Sequence, residues 1–425
     1  AAALLWAWSD ESTLGERFVT ARKITRFLFR PQCEPAGSYQ AFLKMLRRWT
    51  AALVLGLQVA LRERMREEFP DCWETHGFVV FGVDGSRTEL PRTLSHEEAF
   101  SAARKNGRKK KGRRRNGKQR KPDPRHAKKG NSPQMWLTLM WHAGTGLPWD
   151  WRTGPADSSE RAHWMQMLDG LPPNALIAAD AGFVGYEYAK AVRDCDRHLL
   201  LRVGSNVRLL RKLGYTREYG NTVYLWPDRA AAKGQPPLVL RLVVAHNGRH
   251  PVYLVTSVLE KSVLSDKQVV ELYARRWGIE LFFRNLKQTF DRRKLRSTTA
   301  DNARVEMEWS LVGLWAMGLY TLREVTREGI PPDKVSFAAV LRAFRRMMRD
   351  FLHPSEPGQR LCDRLRKAIT DSYQRGDKTS RDYPRKKQES PPGPPEILDA
   401  TEQQIARAQS LSPSKPRKTR KGLTA

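Results

Sequence analysis

Four polar residues, Tyr273, Arg276, Glu280 and Lys287, follow one another at intervals of three, four and seven in a helix-forming stretch. At about 100° per residue they share one narrow stripe of a helix. Leu272, Ile279, Phe283, Leu286 and Phe290 form the apolar stripe beside it. A plain structural explanation exists: an amphipathic helix laced by i,i+4 pairs such as Arg276–Glu280. Two further carboxylates shift the balance. Asp84 ends the apolar run 77–84, and Asp180 ends the apolar run 175–180. An aspartate in such a place also serves as a turn or cap residue, yet strand ends are where open α/β sheets build their sites. Three carboxylates brought together repel one another unless divalent cations lie between them. Two such ions activate a water or a 3′-hydroxyl and stabilise the leaving oxygen of an in-line phosphoryl displacement. The chemistry implied is phosphodiester cleavage.

Charge agrees with a phosphodiester substrate. Among 425 residues, 76 Lys and Arg face 45 Asp and Glu, a net charge of +31. So large an excess calls for a polyanionic partner, nucleic acid or an anionic membrane. The membrane is the poorer choice, because the apolar stretch 309–322 is too short to span a bilayer and reads as a buried core helix. Residues 1–8 are apolar but lack the basic flank and cleavage site of a secretory signal. Cys33, Cys72, Cys195 and Cys362 lie far apart with no CxxC pair, which suits a reducing cytosol and no zinc site. The histidines include no HExxH. Carboxylates are therefore the expected metal ligands, and they favour a hard ion, Mg²⁺ or Mn²⁺.

The elements that would position these groups follow from hydrophobic period. Residues 14–69 are predicted helical with a break at 31–37. The run 77–84 is a strand buried on both faces, stopping at the turn signal Asp84-Gly85-Ser86. Residues 104–129 then carry 15 Lys or Arg; such a block cannot bury a core and reads as a flexible loop that touches the DNA backbone. Strands are expected at 135–143 and 147–153, joined as a hairpin at Gly144-Thr145-Gly146. A short helix starts near Ser158 or Ser159, a strand covers 175–180, a helix 185–195 and a strand 198–203. A β-rich stretch covers 205–258, with candidate strands at 223–226, 238–246 and 252–258. Ser265 and Gln268 form a capping box opening one long helix through Phe290. Helices follow at 301–326 and 335–351, and the basic, Pro-rich remainder from 354 is expected to be largely disordered. The order implies an α/β fold built on a mixed sheet with helices on both faces.

The Tyr273-x₂-Arg276-x₃-Glu280-x₆-Lys287 spacing resembles the YREK motif of the insertion-sequence-four family of bacterial DDE transposases. Asp84 in Val-Asp-Gly-Ser resembles that family's first catalytic aspartate, and Asp180 in Asp-Ala-Gly-Phe its second. The resemblance covers about 77–297 and implies a ribonuclease-H-like catalytic core with a β-strand insertion. By it, Asp84, Asp180 and Glu280 hold two Mg²⁺ or Mn²⁺ ions, and Tyr273, Arg276 and Lys287 bind DNA phosphates. The implied reaction is nicking at the element's 3′ end, a hairpin intermediate and strand transfer. The implied partners are double-stranded DNA, at terminal inverted repeats and at the target, and a second copy in a homodimer, within a bacterial cytoplasm near the nucleoid. An aromatic of the insertion such as Trp226 serves either to stack a flipped base or to fill a strand's core face.

The expected organisation is a helical region 1–76, a catalytic domain 77–300 holding the basic loop 104–130 and the insertion 205–258, C-terminal helices 301–353, and a tail 354–425. Two other functions share these features: a catalytically inactive DNA-binding protein derived from a transposase, and a metal-dependent nuclease without strand transfer.

Overall fold

Apolar runs long enough to bury both faces of a strand set the centre of the molecule. In the computed structural model, residues 1–29, 36–102, 132–246, 250–352, 360–369 and 393–411 are described. All of the Lys/Arg block 104–129 and most of the tail beyond 375 lie outside these residues. The strands are β1 (Val79–Glu89), β2 (Gln134–His142), β3 (Leu147–Gly154), β4 (Ala175–Ala179), β5 (His198–Val203), β6 (Arg208–Arg211), β7 (Thr222–Leu225), β8 (Leu238–His246), β9 (Pro251–Thr256) and β10 (Glu396–Asp399).

The chain divides into two compact units, each drawn from three stretches. One comprises Ala1–Trp73, Asp84–Trp164 and Gly278–Ser372; the other comprises Glu74–Val83, Met165–Trp277 and Tyr373–Ala425. Neither coincides with the contiguous segment 77–300 expected for the catalytic domain. Strand β1 belongs to both, changing unit between Val83 and Asp84.

In the first unit the strand order is β1-β2-β3. β2 and β3 form the expected antiparallel hairpin; Gly146 takes φ +71° at its tip, a conformation that suits glycine. Helices Tyr39–Glu68 and Ala300–Thr326 pack on β3, and Ala2–Trp8, Leu14–Phe29 and Phe337–Leu352 pack on these helices or on one another. The stretch 309–322 is indeed core, with Leu311, Leu314, Trp315 and Met317 at most 1% exposed. Among the described residues no helix is long and apolar enough to cross a membrane. The apolar N-terminus is core as well: Trp6 is buried, and the Trp8 indole donates to the Gly313 carbonyl at 2.9 Å.

In the second unit the order is β10-β6-β7-β8-β9-β5-β4-β1. β1, β4 and β5 run parallel, as βα connections require, and β5 to β9 is antiparallel. Strands β6 to β9 are the insertion foreseen between the second aspartate and the Glu280 helix. A hairpin after β1 followed by parallel β4 and β5 is the mixed α/β, ribonuclease-H-like pattern expected from sequence. Trp226 lies 4% exposed in a cluster with Tyr186, Leu210, Leu213 and Tyr224, its indole donating to the Gln235 carbonyl at 2.8 Å. It fills the core of the insertion.

Three expectations need correction. Asp84-Gly85-Ser86 is not a turn, because β1 continues to Glu89. Gly85 answers a close approach instead: a Cβ there would run into the Glu160 carboxylate and the Trp136 ring. The single helix 265–290 is in fact three pieces: Asp266–Arg275, Trp277–Arg284 and a π-helical turn, Asn285–Thr289. A Cβ on Gly278 would overlap the Trp141 indole, so the close approach requires glycine in the first turn of the second piece. The tail is also partly ordered. Glu396–Asp399 adds parallel to β6, and the helix Glu402–Leu411 buries Ala408 completely in the insertion's apolar cluster. Pro and charge content masked two short segments whose few apolar side chains suffice once a sheet edge is offered.

Candidate active site

The register of β1 against β4 runs Val79↔Ala175 through Val83↔Ala179. The next residue along each of these neighbouring parallel strands is an aspartate: Asp84 on β1 and Asp180 just beyond β4. Each is fixed by the backbone that follows it. The Gly85 amide donates to Asp84 Oδ1 at 2.8 Å, and the Ala181 amide donates to Asp180 Oδ1 at 2.7 Å.

In the second unit, Asp180 meets Tyr273 and Arg202, and Arg276 lies against Tyr273. The Tyr273 hydroxyl donates to Asp180 Oδ1 at 3.4 Å, and Arg202 stands 4.0 Å from the same oxygen. The Arg276 guanidinium lies 5.5 Å from the Tyr273 ring centroid and is 9% exposed. Burial pushes the Tyr273 phenol above its ordinary range; Asp180 adds to this, while Arg276 and Arg202 oppose it. Tyr273 is therefore a proton-bearing donor at neutral pH. The motif spacing implied a phosphate contact for Tyr273, whereas the structure sets its hydroxyl on the aspartate. Val269 and Leu272, both fully buried, seat this helix, and the Ser265–Gln268 capping box foreseen from sequence starts it.

In the first unit, Glu280 sits half-buried on the Trp277–Arg284 helix and Lys287 in the π-helical turn. The π turn closes through Phe290 N–H to Asn285 O at 2.8 Å, so a uniform 100° stripe does not extend to Lys287. The chain then returns to β1: Glu89 N–H donates to Arg293 O at 2.9 Å, and Leu295 N–H to Glu89 O at 3.0 Å. That clasp brings Lys287 into the field of Asp84. Burial holds the Lys287 ammonium below its usual range, Arg293 lowers it further, and Glu89 and Asp84 pull the other way.

Arg202 is absent from the set drawn from the sequence. Its signal was a lone cation within the apolar run of β5, beside the strand that carries Asp180. His246 and His250 do stand at an HxxxH spacing, but His246 ends β8 and His250 precedes β9, so they do not share a helical face.

A carboxylate held in one orientation by a backbone amide is an oxygen donor of the kind a hard divalent cation takes. Among the described residues, no three His, Cys, Asp or Glu side chains are gathered as one metal-holding group. Asp84, in the first unit, and Asp180, in the second, are each held by a backbone amide in this way.

Comparison with known proteins bears on the same residues. A family model described as a transposase DDE domain matches 76–315, more than half of the chain. Transposase InsG for insertion sequence element IS4 of Escherichia coli (strain K12) is 25% identical over 297 residues, 67% of this chain and 61% of the relative. The chain therefore spans less than two thirds of that curated relative. A solved structure, the piggyBac transposase synaptic complex with hairpin DNA, is similar over 74% of this chain and 63% of its own, with 13% identity and a TM-score of 0.38. On the extent of the family match, the chain belongs to the transposase DDE domain family.

Proposed function

We propose that this protein is a cut-and-paste transposase that cleaves DNA at the terminal inverted repeats of an element and joins the freed end to target DNA. The observation that carries this is the DDE family match over 76–315, supported within each unit by Asp84 held by the Gly85 amide and by Asp180 held by the Ala181 amide and Tyr273. Asp84, Asp180 and Glu280 are the ligands we assign to two Mg²⁺ or Mn²⁺ ions. Bound there, the ions would polarise the scissile phosphate and make a water or 3′-hydroxyl nucleophilic.

The chain's own groups do the positioning. Amide donors fix one oxygen of each aspartate, and Tyr273 adds a hydroxyl donor to Asp180. Arg276, held against the Tyr273 ring, offers a planar fork for a phosphate next to the scissile one. Lys287, partly desolvated and within the field of Asp84, supplies a compact positive charge to the attacked phosphate. The excess of Lys and Arg draws DNA in. A homodimer on paired element ends, in a bacterial cytoplasm at the nucleoid, is the setting this reading entails.

The test is incubation with the flanking inverted repeats and Mg²⁺, resolved on denaturing gels. Nicks, hairpins and joined products are expected. Binding with no cleavage marks an inactive DNA-binding derivative. Cleavage with no joined product marks a nuclease.

A further inference from the structure

The insertion ends in a strand whose outer positions are cationic. On β6, Leu209 and Leu210 are buried, while Arg208 and Arg211 point out, followed at once by Lys212. Lys212 takes φ +56°, a left-handed conformation that is uncommon for a residue with a side chain and costs about 1 kcal/mol or more. The strained residue sets its ammonium next to the Arg211 guanidinium. Arg208 and Arg211 are three residues apart, about 10 Å along the strand and on opposite faces of it, so the two cations flank the sheet edge from either side.

That edge is covered by the chain's own acidic segment. β10 adds parallel to β6, Glu396 opposite Arg208 and Asp399 opposite Arg211. Glu396 pairs with Arg208 at 2.9 Å; Asp399 pairs with Arg211 at 2.6 Å and with Lys212 at 2.8 Å. Each acid thus meets a cation. Residues 393–411 hold Glu396, Asp399 and Glu402 against Arg407, net acidic in a chain of charge +31. The segment does not need these pairs to stay folded, since ion pairs between exposed, water-screened groups contribute little. Its hold comes from the strand hydrogen bonds and from Ala408 within the apolar cluster. Arg208, Arg211 and Lys212 remain 60%, 55% and 72% exposed on their outer sides.

We infer that Arg208, Arg211 and Lys212 form a binding edge for the DNA backbone, and that Glu396 and Asp399 of the C-terminal strand occupy it as an internal mimic of phosphate. The inference rests on the proposed DNA-binding role. Duplex DNA must displace or outbid two carboxylates before it gains these three cations. The affinity of the resting chain for arbitrary DNA is accordingly held down.

The experiment uses the full chain and the double variant Glu396→Gln/Asp399→Asn, which keeps the strand's shape and removes its charge. Binding to a duplex of unrelated sequence is followed by fluorescence anisotropy across a salt series. The variant is expected to bind about fivefold or more tightly at low salt. Its plot of log affinity against log salt should steepen by about 2, since each phosphate contact contributes about 0.9. Adding Arg208→Ala, Arg211→Ala and Lys212→Ala to it removes the gain, while those three changes in the unaltered chain have little effect. Equal affinity and slope in the parent and the double variant overturn the inference alone. Absence of DNA binding by both chains overturns the DNA-binding reading and this inference with it.

Discussion

Asp180 is where the residue scale is most informative, because its neighbours have separable duties. Removing the Tyr273 hydroxyl leaves the ring under Arg276 and deletes one donor to the aspartate. Tyr273→Phe is expected to slow single-turnover cleavage about tenfold, the worth of one modest hydrogen bond, at unchanged DNA affinity. An unaltered rate would assign Tyr273 to packing. Glu308 makes a second residue-scale prediction. Burial raises its carboxyl to about 7; Asp150 adds to this, while the Trp151 indole donor and Arg152 oppose it. Its folded value thus lies above the unfolded one near 4.5, so the stability it contributes is full below about 4.5 and is lost as pH rises through about 7. A shift of this size corresponds to at most about 3 kcal/mol. Glu308→Gln retains an acceptor for Trp151 and abolishes the titration. Its thermal midpoint should therefore exceed the parent's at pH 8 and show no such gain at pH 5.

Helix Trp277–Arg284 is the element on which the third carboxylate depends, and its seat is the Gly278–Trp141 contact. Gly278→Ala normally helps a helix, but here it overpacks an indole, which costs about 1–3 kcal/mol. A lower melting temperature and slower cleavage are expected, with partial recovery when Trp141→Leu is added; recovery is the check that the ring is the obstacle. The strands were the most legible elements, since unbroken apolar runs such as 175–180 have few other uses. Asp84 and Asp180 were found because each closes such a run. Gly85 misled because a glycine after aspartate signals a turn equally well as it signals a close approach, and only Glu160 and Trp136 decide which. The breaks in the helix at Arg276 and in the π turn left no mark in hydrophobic period. Their cause is tertiary: Trp141 on one side and the return to Glu89 on the other. The edge strand Glu396–Asp399 was hidden for the same reason. Its partner lies nearly 190 residues away, and its own sequence carries little apolar content.

At the scale of the whole molecule, the proposed function gives charge the task of meeting DNA and the carboxylates the task of cutting it. The 15 Lys and Arg of residues 104–129 should act by counterion release. Deleting them is expected to weaken binding to all duplexes about equally and to flatten the salt dependence, measured as the slope of log affinity against log salt; an unchanged slope places them off the DNA. Cleavage is a separate property. The most direct measurement compares the parent with Asp84→Ala, Asp180→Ala and Glu280→Ala on the same inverted-repeat duplex, scoring affinity and Mg²⁺-dependent nicking in parallel. The account predicts that all three variants bind within a few-fold of the parent and nick at no detectable rate. Mg²⁺-dependent nicking retained by any one of them would contradict it.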